Sequence, residues 1–124
     1  MAGMANPKLP SLNTQLRRTN APQPLTIVSG AISYWDVNYY TNAKILANAS
    51  FSMPNPTGLC PGLGGMLTIT QDQTGSRSIV WAANYRGPSG VKPVLSTTAN
   101  AVDQIAWYSP DGKYVDLSMI AAES

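Results

Sequence analysis

The sequence predicts an all-β protein: a single antiparallel β-sandwich or jelly-roll-like domain with an extended N-terminal arm. Three observations support this fold class. Short segments rich in Val, Ile, Thr and aromatic residues recur along the chain. Gly, Pro, Asn and Asp residues separate them, and the periodicity of an amphipathic helix is nearly absent. The 124 residues, 44% of them apolar, suffice for one domain with one core.

Residues 1–24 are expected to form an extended arm that docks on a neighbouring protein. The segment contains four prolines, which disfavour a helix or an inner strand. An untethered, disordered tail is the alternative, since chain termini are often disordered. The docking side chains would be spaced leucines and a pair of arginines: Leu9, Leu12, Leu16, Arg17 and Arg18.

The body, residues 25–124, opens with strand segments. Residues 25–29 (LTIVS) are rich in β-branched side chains and end at a glycine. Residues 31–53 alternate apolar and polar side chains, with Ile32 and Tyr34 as candidates for one face and Val37 and Tyr39 for the opposite face. A strand restarts at Ile45 and Leu46 and is expected to run through Phe51. A helix over residues 42–50 is the main competitor, because Ala, Lys and Leu favour helices.

A loop and four further strands follow. Residues 54–65 are dense in Pro and Gly and predict the loop. Residues 70–81 (TQDQTGSRSIVW) have the composition of a β-hairpin, and residues 82–100 form a long polar connection. The four sequence letters SPDG at 109–112 suit a type I turn between the last two strands. The strands are predicted at residues 66–70, 77–81, 101–108 and 113–120.

The residue types on which most catalytic and metal sites depend are scarce. The chain has no histidine, and Cys60 is its one cysteine, which we expect to be a small buried apolar residue. An ion pair of Arg77 with Asp72 or Asp103 is expected, rather than a catalytic or calcium-binding pair of those carboxylates. We therefore predict no enzymatic activity, no cofactor and no metal.

Charged residues make up only 11% of the chain, against about a quarter in average proteins. An uncharged polar surface is prone to self-association, so this composition favours a subunit of a larger assembly over a polar monomer. The net charge of +2 is too small for a nucleic-acid or membrane surface. No apolar run approaches a membrane span and no signal-peptide pattern is found, so we expect synthesis in a cytoplasm without export.

Two sets of side chains are candidates for burial or binding. The alternation of the predicted strands assigns the first set to the core or a subunit interface: Leu67, Ile69, Ile79, Trp81, Ile105, Trp107, Val115 and Leu117. The second set could form an exposed patch that binds a glycan: Trp35, Tyr39, Tyr40, Tyr85 and Arg86.

Four pieces of residues 66–108 are characteristic in sequence: LTITQDQTGSR (67–77), Trp81, GVKPVLSTTANAVD (90–103) and QIAWY. In order and spacing, these pieces resemble a β module of structural proteins of tailed bacteriophages, often near the end of tail-fibre or other virion surface proteins. Residues 25–65 share only the strand texture, and the arm does not resemble the module. Such proteins usually have Pro after the tryptophan, whereas Ala82 stands here, which leaves the path of the following loop open.

The resemblance implies a virion structural role, an antiparallel β fold and a homotrimer, and it brings no catalytic residues. The preferred function is a small head decoration, or cement, protein whose arm lies on the major capsid protein or other virion proteins. The alternative is a host-attachment module, such as a short tail fibre, head fibre or fibre tip, that binds cell-surface glycans. Either function places the protein in a virion assembled in the bacterial host cytoplasm, on the head surface or on the tail.

Overall fold

The protein is all-β. The computed structural model describes residues 21–123, in which the single helical element is a 3-10 turn at Pro88–Gly90. The described chain contains ten strands: β1 Gln23–Leu25, β2 Ile27–Val28, β3 Ala31–Ile32, β4 Ala43–Ala47, β5 Phe51–Met53, β6 Leu63–Gln71, β7 Ile79–Trp81, β8 Tyr85–Arg86, β9 Val102–Ser109 and β10 Val115–Glu123.

The strands form two mixed sheets. The six-stranded sheet has the order β1-β4-β6-β9-β10-β8, and the four-stranded sheet has the order β2-β3-β5-β7. The prediction of purely antiparallel pairing is wrong, because β1, β4 and β6 lie parallel and so do β3, β5 and β7. From β3 to β7 the chain changes sheet at every step, so neighbours within one sheet run in the same direction. Antiparallel pairing joins β6 to β9, β9 to β10, and β2 to β3.

One core receives the inward side chains of both sheets. Along β4, buried Ala43, Ile45 and Ala47 alternate with exposed Lys44 and Leu46, the period of a strand and not of a helix. The strand interpretation of this segment is therefore confirmed. Of the set predicted for the core or a subunit interface, seven members are buried in this core, and Ile79 is half-buried against it.

The predicted continuation of β4 through Phe51 is wrong. Strand β4 ends at Ala47 in the six-stranded sheet, and Phe51 opens β5 in the four-stranded sheet. The hairpin prediction for residues 70–81 fails in the same way, since β6 and β7 also belong to different sheets. The connection between them is a crossover from the six-stranded sheet to the four-stranded sheet.

The loop predicted over residues 54–65 is shorter than expected, because β6 already begins at Leu63. The glycine at 65 fits a strand here since its backbone lies against the Thr41 carbonyl, which leaves no room for a side chain. Cys60 lies exposed in this loop, which corrects the expectation that it is buried. The backbone of Cys60 and Pro61 lies close to Gly112 of the β9–β10 connection.

The antiparallel pairing of β9 and β10 was anticipated from the sequence. Trp107 lies opposite Leu117, and a bulge falls between Met119 and Ala121. In the connection, the Gly112 amide donates to the Ser109 hydroxyl at 3.0 Å. The Asp111 carboxylate accepts the amides of residues 113 and 114 at 3.0 and 2.9 Å. Side chains, rather than backbone groups alone, therefore hold this turn.

Candidate functional site

A group of polar side chains, here called the polar interlock, links residues 71–77 to residues 96–103. It consists of Gln71, Asp72, Arg77, Ser96 and Asp103. Gln71 is buried at the end of β6, and its Nε2 donates to the carbonyls of Arg77 at 2.9 Å and of Ser96 at 2.8 Å. Its Oε1 accepts the Arg77 amide at 3.0 Å. One carboxamide thus connects the crossover after β6 to the segment before β9.

Asp72 caps the crossover and pairs with Arg77. Its Oδ1 accepts the amides of Thr74 at 3.1 Å and Gly75 at 3.0 Å. The Arg77 guanidinium binds both carboxylate oxygens, at 3.3 and 2.9 Å, which confirms the predicted ion pair with one of the two aspartates. The hydrogen bond from Arg77 is the main reason why the pKa of Asp72 lies below its usual range, and the Gly75 and Thr74 amides add to this effect.

Asp103 is buried on the inward face of β9 and accepts both of its hydrogen bonds from one residue. Its Oδ2 accepts the Ser96 amide and its Oδ1 accepts the Ser96 hydroxyl, each at 2.7 Å. The half-buried carboxylate of Asp72 and the buried carboxylate of Asp103 are therefore both engaged by groups of this chain, and a buried acid needs such partners. Within residues 21–123, no group of three or more His, Cys, Asp or Glu side chains could hold a metal ion.

Two members of the predicted glycan-binding patch are in the core, which corrects that prediction. Trp35 is 0% exposed, lies edge-on to Trp107 with ring centroids 5.2 Å apart, and donates from Nε1 to the Tyr40 carbonyl. Tyr85 is also buried, with its hydroxyl donating to the Pro54 carbonyl at 2.7 Å, and this burial raises its pKa. Both rings go inside because each polar atom finds a backbone carbonyl there.

The other members of that patch stay accessible. Tyr39 is exposed and Tyr40 half-buried, both in the connection between β3 and β4, where Tyr34 is exposed too. Arg86 is exposed on β8, at the opposite edge of the six-stranded sheet from β1. The predicted patch is thus divided between the core and two separate elements of the surface.

Strand register creates an aromatic and charged row on the outer face of the six-stranded sheet. The row crosses four strands in register, with Gly64 on β6, Tyr108 on β9, Asp116 on β10 and Arg86 on β8. Tyr108 is 50% exposed, and Arg86 donates to Asp116 at 2.8 Å while its Cζ lies 4.6 Å from the Tyr114 ring. Sequence reasoning missed this row because its members are far apart in the chain and only the register brings them together.

An uncharged row crosses the outer face of the four-stranded sheet. Here called the outer row, it consists of Val28, Ala31, Ser52 and Val80, paired in register across all four strands. The two valines at its ends are 59% and 65% exposed. Small, uncharged side chains in a row of this kind are suited to contact with another protein surface.

A groove of about 430 Å³, here called the β1 groove, runs along the edge strand β1. Apolar side chains of β1, β2 and β4 form most of its walls, and Lys44 is the one charged residue in the lining. Pro24 and Leu46 are both exposed at this position. The groove is therefore an apolar concave surface next to the point where the described chain begins.

The predicted docking residues of the arm, Leu9 to Arg18, lie outside the described residues. Among residues 21–123, no helix has the length and hydropathy that crossing a bilayer requires.

Comparison of the chain with protein-family models, curated proteins and solved structures finds no match.

Proposed function

We propose that this chain is a structural protein of a tailed-phage virion, specifically a small trimeric head decoration protein whose N-terminal arm docks on the major capsid protein. The polar interlock carries this proposal. Two of the pieces that resemble the phage module, residues 67–77 and 90–103, are joined by the Gln71 carboxamide, which donates to the Ser96 carbonyl, and by backbone hydrogen bonds such as those from Asn100 to Asp72 and from Ser76 to Thr97. Hydrogen bonds within the chain occupy these polar groups and fix the framework of the body. This suits a structural component of a virion.

The finer form of the fold belongs to the same proposal. Inward side chains of both sheets enter one core, which supports a β-sandwich of the jelly-roll type. The repeated change of sheet between β3 and β7 supports it as well. In such a sandwich the outer faces of both sheets are available to partners.

The outer row is the surface on which we expect the copies of a trimer to meet. It carries no charge, and its central members, Ala31 and Ser52, are small enough for a second copy to approach closely. The outer face of the six-stranded sheet, in contrast, carries Lys44, Arg86 and Asp116. Charged side chains are depleted in the centre of protein interfaces, so the uncharged face is the better candidate.

Deletion of the arm tests the docking role. A variant that lacks residues 1–20 should fold like the full chain, because the two sheets and their core begin at β1. It should not bind to capsid shells that lack a decoration protein, which cosedimentation measures. A matched full-length control, Arg86→Gln, removes a surface charge of the body and should bind normally. Equal occupancy of the shells by the deletion variant would rule out docking through the arm.

A host-attachment module that binds cell-surface glycans is the second candidate. The row formed by Tyr108, Asp116 and Arg86 favours it, because an exposed ring beside hydrogen-bonding groups can stack against a sugar and bind its hydroxyls. The number of copies per particle separates the two functions. Hundreds of copies indicate the head shell, whereas a handful, together with a glycan-array signal lost in Tyr108→Ala, indicates attachment.

A further inference from the structure

The β1 groove is an apolar surface without a described occupant. Pro24, Leu25, Ile27, Ile45 and Leu46 contribute its apolar walls. Leu46 is 57% exposed although its neighbours along β4, residues 45 and 47, are buried. A concave apolar surface that includes an exposed leucine is stabilised when another apolar segment covers it.

We propose that the leucine segment of this chain's own arm, residues 9–16, occupies the β1 groove. The described chain begins at Ala21, and Pro24 already forms part of the groove wall. Six residues, 17–22, separate Leu16 from β1. They can span about 20 Å when extended, which is enough to turn back and reach the groove.

The chemistry of the segment matches that of the groove. Residues 9–16 (LPSLNTQL) contain three leucines and no charge. The charges of the arm flank this segment at Lys8, Arg17 and Arg18. Docking of the uncharged segment keeps these cations out of the groove. It also keeps them away from Lys44, the one charged residue of the groove lining.

A buried acceptor lies at the start of β1, next to Pro24 of the groove wall. Among the described residues, no group donates to Gln23 Oε1, although this atom is buried. A buried acceptor without a donor is costly, and the arm that leads into Gln23 can supply amide donors. Pro24 gives the edge strand no amide of its own, so docking through side chains is favoured over addition of a complete new strand.

The arm of the same copy is favoured over that of a second copy because the linker is short. A segment tethered by six residues has an effective concentration in the millimolar range at its own groove, above that of separate molecules in dilute solution. This inference does not depend on the proposed function, because docking in the groove needs no capsid. If both hold, a shell that takes up the arm competes with the groove.

Disulfide trapping tests the inference on the full chain. In a Cys60→Ser background, Leu12→Cys and Leu46→Cys should form an intramolecular disulfide that changes monomer mobility on a non-reducing gel. The matched control pairs Leu12→Cys with Val91→Cys, an exposed position after β8, and should react at least about tenfold more slowly, the ratio for a docking free energy of 1.4 kcal/mol. Equal rates for the two pairs, or mainly intermolecular products with Leu46→Cys, would overturn the proposal.

Trypsin gives an independent readout, because Arg17 and Arg18 lie next to the docked segment. Leu46→Asp should increase the rate of cleavage after these arginines by about tenfold, and Leu12→Asp should do the same without touching the body. Val91→Asp, similarly exposed but located after β8, the strand at the opposite edge of the six-stranded sheet from β1, should leave the rate unchanged. Cleavage of the wild-type chain as fast as Leu46→Asp would show an undocked arm. Shell binding plays no part in either experiment, so failure here is distinguishable from failure of the capsid proposal.

Discussion

The carboxamide of Gln71 binds three backbone groups in two different loops, the amide and carbonyl of Arg77 and the carbonyl of Ser96. Gln71→Leu keeps a similar volume but leaves these groups without their partner. We expect a loss of about 2–4 kcal/mol in the free energy of unfolding, because buried polar groups that lose a partner are costly. Urea denaturation measures this loss. Gln73→Leu, an exposed position in the same crossover, is the control and should change stability by less than about 0.5 kcal/mol.

Asp72 makes stability depend on pH at the acid end. Because its pKa is lowered in the folded state, the carboxylate stabilises the fold above the ordinary aspartate pKa, and this contribution is lost as pH falls through the lowered value. The Tm of Asp72→Asn should therefore fall less than that of the wild type between about pH 6 and about pH 3. Arg77→Gln, which keeps the Thr74 and Gly75 donors, should give an intermediate result. An unchanged pH dependence in Asp72→Asn would contradict this assignment.

The burial of individual aromatic residues was only partly predictable. Trp107 lies in a strand with clear alternation, and the sequence placed it in the core. Trp35 and Tyr85 lie in or next to irregular segments, where no period assigns a face. Their burial depends on the Tyr40 and Pro54 carbonyls that accept their hydrogen bonds, and only the folded chain brings these groups to the rings.

At the scale of elements, alternation located most strands but did not identify their partners. The positions of β4, β6, β9 and β10 were anticipated because buried and exposed side chains alternate along them. The separation of β6 and β7 into different sheets was not, since a polar segment with a glycine suits a hairpin turn and a crossover equally. The interlock stabilises the crossover, because the Gln71 side chain binds Arg77 and Ser96.

The crossover after β6 requires glycine at position 75. This residue has φ of +74°, and a Cβ there would lie 2.6 Å from the Thr97 carbonyl oxygen and 2.9 Å from the Ala99 nitrogen. Gly90 has a similar φ of +79° with no atom within 4 Å of the same position. We expect Gly90→Ala to lose about 1 kcal/mol of stability and Gly75→Ala roughly 2–5 kcal/mol, because only the second adds a collision to the backbone strain. Thermal denaturation of both variants compares them, and equal losses would contradict the close approach of the 97–99 segment.

At the scale of the whole molecule, the low charge of the sequence corresponds to two outer faces that differ in character. The aromatic and charged row marks the outer face of the six-stranded sheet, whereas the outer row of the four-stranded sheet carries no charge. Composition predicted a surface suited to assembly, but it could not assign that surface to one sheet. The assignment depends on register, which brings Val28, Ala31, Ser52 and Val80 into line.

A pair of serine substitutions tests which face joins the copies of the proposed trimer. Ser52 lies in the outer row and Ser118 on the outer face of the six-stranded sheet, and both are exposed. Ser52→Lys places one cation of each copy in the contact, so desolvation and mutual repulsion should shift the protein to monomers. Ser118→Lys adds the same charge elsewhere and should leave the trimer intact. Sedimentation equilibrium at matched concentrations measures both, and dissociation of the Ser118→Lys variant alone would move the contact to the six-stranded sheet.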